Sequence, residues 1–117
     1  MTPARWAAAV AAVHAAAAEA GRKEVGWRHG LHLWCGFGGS RDAARSAVAA
    51  AMEDLYQLPF ARFEQYVPVG TPAEVAASLE PFIAAGCRHF NLVPVAGTVE
   101  ESVDGTADVR ARLATLP

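Results

Sequence analysis

The stretch Gly36-Phe37-Gly38-Gly39-Ser40 is the part of this sequence best placed to hold a ligand. A glycine-rich loop between an apolar strand and a helix turns backbone N–H groups toward one point, which suits a phosphate or carboxylate. It departs from the dinucleotide fingerprint: Gly36 and Gly38 supply G-x-G, but Arg41 stands at the third glycine position and no P-loop lysine follows. The plainer reading is a β–α turn with Ser40 as helix cap. His29, His32 and Cys35 have a spacing that invites a metal. On a strand, however, His29 and His32 point to opposite faces. Cys87 and His89 share a face with no third ligand in view. Cys35 as a nucleophile would need a base from four scattered histidines, and a cysteine within an apolar strand reads better as a small, inert hydrophobe. Glu100, Glu101 and Asp104 could share acid–base work, but they fall on a stretch that reads as a solvated loop. Trp34, Phe37, Phe60, Phe63 and Tyr66 could line a pocket for a planar ligand or fill a core, and a core is the simpler account.

Elements must position these groups. Thr2 caps a helix with Pro3 at its first position, running to about Ala20 and stopped by Gly21. Gly30–Cys35 reads as a strand with Leu31, Leu33 and Cys35 on one face and His32 and Trp34 on the other. Both faces are fairly apolar, which predicts burial on both sides, as in a parallel sheet. A helix follows from about Arg41 to Gln57, with Ala44, Val48, Ala51, Met52 and Leu55 at helical spacing and Pro59 as its end. Phe60 to Val69 reads as an irregular aromatic connection. Gly70-Thr71-Pro72-Ala73-Glu74 is the strongest local signal: Thr71 caps, Pro72 takes the first turn, and Glu74 reaches back. That helix carries Val75, Leu79, Phe82 and Ile83 as its stripe, holds Pro81 where a kink is expected, and ends at Gly86. His89–Val95 is a second strand, Gly97–Thr106 a polar loop, and Ala107–Leu116 a short last helix. The order α-β-α-α-β-α predicts an α/β fold with two parallel strands. Two strands alone leave both as edges, so the chain reads as a slice of a larger α/β protein or as one that needs a partner.

Length and charge narrow the function classes. At 117 residues and 12.3 kDa the chain fits one domain, residues 1–117. Net charge is −2, which argues against a nucleic-acid footprint and against a polybasic membrane contact. Two cysteines are too few for a disulfide scaffold, so a reducing cytoplasm is the expected location. Alanine fills 27 positions, which favours closely packed helices. Ala7–Ala18 could be mistaken for a signal sequence, but it lacks leucine, His14 interrupts it, and no run approaches the roughly 18 apolar residues of a membrane span.

At Gly70-Thr71-Pro72-Ala73-Glu74-Val75, followed by Ala85-Gly86-Cys87-Arg88-His89-Phe90-Asn91-Leu92-Val93-Pro94-Val95, the sequence resembles the C-terminal third of the luciferase-like monooxygenases. Ala20-Gly21-Arg22, the strand through Cys35, Asp42-Ala43-Ala44-Arg45 and Leu58-Pro59-Phe60-Ala61-Arg62-Phe63 are similar to the preceding stretch of that family. The resemblance spans nearly the whole chain and is carried by the order and spacing of its pieces. It implies a segment of a (β/α)8 TIM barrel, an architecture of about 250 residues, and an oxidoreductase using reduced FMN or a deazaflavin on a small-molecule substrate. Barrel residues at C-terminal strand ends face the active site. The resemblance therefore implies Trp34, Cys35 and Gly36, with Pro94, Val95 and Ala96, as the cofactor or substrate wall. It implies no catalytic residue here, because the segments that supply most flavin contacts lie outside this stretch. The expectation is a segment inactive alone, completed by the missing barrel half. The rival expectation is a self-associating α/β interaction module without catalysis.

Overall fold

The computed structural model describes residues 1–117. Helix α1 spans Pro3–Glu19, strand β1 Gly30–Phe37, helix α2 Arg41–Tyr56, strand β2 Val69–Gly70, helix α3 Pro72–Ala84, strand β3 His89–Val95 and helix α4 Val99–Leu113. Two 3₁₀ turns, Phe60–Arg62 and Glu64–Tyr66, connect α2 to β2.

Local chemistry accounts for most of these limits. The Thr2, Ser40, Thr71 and Thr98 hydroxyls each accept a hydrogen bond from a first-turn N–H, satisfying a donor that the helix leaves unpaired. Gly21 at φ +67° and Gly86 at φ +100° stop α1 and α3 in the left-handed region, where L side chains are strained. Gln57 at φ 54° ends α2, two residues before Pro59. Pro81 sits within α3 without ending it. Arg88 then donates to the Ile83 and Cys87 carbonyls at 2.7 and 3.0 Å, satisfying acceptors near the α3 end.

All strands are parallel, in the order β2-β1-β3. The expectation of two strands is thus corrected to three. Gly36 and Gly38 donate to the Pro68 and Gly70 carbonyls at 2.9 and 3.3 Å, drawing the end of the aromatic connection into the sheet. Consecutive strands of a (β/α)8 barrel are neighbours, which would put β2 between β1 and β3; here β1 is in the middle. The crossovers from β1 to β2 and from β2 to β3 run in opposite directions across the sheet, so right-handed connections place their helices on opposite faces. The packing agrees. Cys35 and Phe37 meet Val75, Ala76 and Leu79 of α3 and Val109 of α4 on one face. On the other, Val48 and Met52 of α2 pack with Phe60 and Val67 against Trp34, Val69 and Val95. Trp6 of α1 joins Leu31, Phe82 and Cys87 in a third cluster and donates from its indole to the Gly30 carbonyl at 3.3 Å.

Three further expectations change. The last helix begins at Val99, because Thr98 and Glu101 form a capping box; Gly97–Thr106 is therefore mostly helix, and Glu100, Glu101 and Asp104 lie on its first turns. Leu55 is 61% exposed rather than part of the apolar stripe, which advances by four residues through Ala44, Val48 and Met52 to Tyr56. The His32 face of β1 is not fully covered: His32 and its neighbour Asn91 are exposed, with Asn91 Nδ2 2.9 Å from His32 Nδ1.

The capping box at α3 gives a direct test. The Thr71 N–H donates to Glu74 Oε2 at 2.8 Å, and the Thr71 hydroxyl adds a second hydrogen bond. These bonds hold the Glu74 carboxyl below its ordinary 4.5. A lowered folded-state value means stability that is present above the unfolded value and is lost as pH falls through the folded one. Thr71→Ala is expected to cost about 1 kcal/mol at neutral pH. Glu74→Gln is expected to flatten the loss of stability below pH 4.5. Denaturant titrations at neutral and acid pH read both effects, and an unchanged acid slope in Glu74→Gln would contradict the coupling.

Candidate functional site

Two places follow from this architecture. The first is the carboxyl end of the sheet between β1 and β3. β1 leads into α2 on one face and β3 into α4 on the other, so the loops 38–40 and 96–98 part from each other there. In open α/β sheets, ligands bind at such a divergence. Three helix N-termini belong to this end of the sheet, but two are already answered from within. Glu74 takes the Thr71 N–H, and Glu101 takes the Thr98 N–H at 3.2 Å. At α2 the residue in the corresponding position is Ala43, so the Gly39–Ser40 backbone carries no capping carboxylate of that kind.

The second place is a cleft of about 620 Å³ along the β1 edge that β2 leaves open. β2 pairs only with Gly36 and Phe37, so that edge has no strand beside Gly30–Cys35. Trp34, Tyr56, Phe63 and Tyr66 line the cleft with Arg41 and Glu64. Trp34 Nε1 donates to the Tyr56 hydroxyl at 3.1 Å, and the two rings meet edge-on with centroids 6.0 Å apart. Tyr56 in turn lies 5.2 Å from Phe63. The volume falls within the range of small-ligand sites, and the lining combines aromatic rings with a few polar groups, as such sites do.

Of the residues expected at the wall, Trp34 alone lines this cleft. Cys35 is fully buried under α3 and α4. Gly36 is covered by α2, with its missing side chain's position 2.4 Å from the Ala44 carbonyl oxygen. Pro94 pairs with Cys35 and Val95 with Gly36 in the sheet. Val95 and Ala96 are half-buried against the opposite-face clusters. The structure therefore brings the six together as neighbours at one end of the sheet, but with packing contacts for most of them. Besides Glu64, Tyr56 is a lining residue that sequence reasoning passed over. Its four-residue step from Met52 was the available signal.

Burial pushes the Cys35 thiol up to about 12, so it holds its proton at neutral pH. Cys87 is also raised by burial, and its thiol donates to the His89 carbonyl at 3.3 Å. Only a thiolate is a strong nucleophile. Cys35 is expected to resist a thiol-specific reagent at pH 8 in the native chain and to react on unfolding in denaturant. Rapid native labelling of Cys35, located by peptide mapping, would contradict this burial.

No helix is long and apolar enough to cross a membrane. No protein-family model, curated protein or solved structure matches the chain.

Proposed function

We propose that this chain is an incomplete α/β unit that works only when its open sheet edges are covered, and that the completed assembly is a flavin- or deazaflavin-dependent oxidoreductase of the luciferase-like kind acting on a small molecule. The observation that carries the first half is exposed surface. The chain presents 7303 Å² to solvent, whereas a folded monomer of its mass presents about 6,100 Å². Its radius of gyration is 15.8 Å, against about 13.4 Å for a compact domain of this length. The excess of about 1,200 Å² is comparable to what a stable interface covers. The unpaired β1 edge, the outer edge of β3 and the half-covered His32–Asn91 face say where covering is needed.

The second half rests on the Gly70–Val75 and Ala85–Val95 pattern. That resemblance supports the cofactor class but not the closure of a barrel, since β1 lies between β2 and β3. The residues present do not fit a whole flavin: Cys35 and Gly36 are packed beneath helices, and two of the three helix N-termini hold their own carboxylates. The cofactor's main contacts therefore belong to other segments, and this chain alone is inactive. Purified chain titrated with FMN or a deazaflavin should give no saturable fluorescence change and no turnover with a reductant. Turnover by a 12.3-kDa monomer would overturn the reading.

The same open edges favour a second reading, in which another copy of the chain supplies the cover and there is no catalysis. Light scattering at micromolar concentration separates the two. A dimer or larger species favours self-association, and a compact monomer sinks it.

A further inference from the structure

His14 and His29 belong to no site described above. His14 sits on the exposed side of α1, and His29 immediately precedes β1. The loop between them folds back so that their Nε2 atoms lie 3.2 Å apart, with the rings 71° from coplanar and their centroids at 5.0 Å. A hydrogen bond between two exposed imidazoles adds little stability. The same spacing has a second chemical meaning. Two nitrogens at about 2.05 Å from one ion and separated by this distance subtend about 100°, close to the tetrahedral angle of zinc. They open on a hollow of about 300 Å³ walled by Trp6, Trp27, Arg28, Arg88 and His89 among others. No carboxylate lines it. Calcium and magnesium, which need oxygen ligands, are thereby disfavoured, whereas imidazole suits zinc, nickel and copper.

We propose that His14 and His29 form a two-imidazole site for a late divalent transition ion, with its remaining positions open to water or an exogenous anion. The neighbouring guanidinium groups of Arg28 and Arg88 oppose a bare dication but favour an anionic third ligand. An ion here ties α1 to the start of β1. That tie is mechanically useful, because Trp6 and Ala17 are the only buried residues of α1.

The test uses the full chain with Zn²⁺ or Ni²⁺ alone, followed by calorimetry and by thermal unfolding. One equivalent should bind saturably and raise Tm, as any ligand selective for the folded state does. Loss of an outer-shell partner of a metal ligand already costs about tenfold in affinity, so His14→Ala and His29→Ala should each lose at least that much and abolish the Tm shift. His32→Gln, a histidine on the sheet face, should leave binding unchanged. Circular dichroism of the metal-free variants checks that they fold. Equal binding by wild type and both alanine variants would overturn the site, as would no saturable binding by wild type. Saturable binding of inorganic phosphate with no metal binding would also overturn it and would identify the hollow as an anion site.

Discussion

Leu79→Ala is expected to cost about 3 to 4 kcal/mol of folding stability. Leu79 is fully buried on α3 within the cluster of Cys35, Phe37, Val75, Ala76 and Val109. That cluster joins β1 to both helices of its face, so its neighbours cannot collapse into the gap without moving the sheet. A domain of ordinary stability has about 5 to 15 kcal/mol in total, and one with this much exposed surface belongs at the low end. Leu79→Ala should therefore lose a clear cooperative melt near physiological temperature. Urea unfolding followed by tryptophan fluorescence measures it. A loss below about 1 kcal/mol would mean that the core does not centre on α3 and β1.

The second large effect is expected at Gly36. A Cβ there would lie 2.4 Å from the Ala44 carbonyl oxygen and 3.0 Å from Val48 Cγ1. The nearest obstacle is the backbone of α2, which cannot rotate away as a side chain can. Gly36→Ala must push α2 off the sheet, at a cost of about 1 to 3 kcal/mol or more. Because Tyr56 at the end of α2 accepts the Trp34 hydrogen bond, the shift should also change the Trp34 environment. The variant should thus show lower stability together with altered native tryptophan emission. Wild-type emission and stability would show that α2 does not rest on Gly36.

What the sequence disclosed follows from how local each cause is. Helix caps at Thr2, Ser40 and Thr71 and the glycine stops at Gly21 and Gly86 are written in a few adjacent residues, and they were legible. β3 was legible as a short, mostly apolar stretch, His89–Val95, between Gly86 and Gly97. β2 was not, because two residues have no alternation to read and their pairing depends on the distant carbonyls and amides of Gly36, Gly38 and Pro68. The first half of α4 was hidden by Gly105, which reads as a breaker. In the fold Gly105 is needed for close approach: a Cβ would sit 2.7 Å from the Phe37 ring. The Thr98–Glu101 capping box was the overlooked local signal.

The candidate site was legible in part for a similar reason. Sequence places Trp34, Cys35, Gly36, Pro94, Val95 and Ala96 at strand ends, and the parallel register keeps them neighbours. Which of them line a cavity depends on which helix covers which face. That was set by the strand order, and no residue in isolation encodes it. The Trp34–Tyr56–Phe63 cluster draws on β1, α2 and the residue between the two 3₁₀ turns, and it emerges only once α2 has packed.

The central claim is that the open edges of β1 and β3 are covered in the working protein. The most direct test is the size of the native species in the source cells, read by blotting native and denaturing gels with an antibody against Gly70–Leu79. The account predicts a native species larger than 12.3 kDa. A denatured band of about 30 kDa or more, near the mass of a whole barrel, would place the cover on the same polypeptide. A 12.3-kDa band within a larger native complex would place it on another chain. A free 12.3-kDa monomer under both conditions would contradict the account.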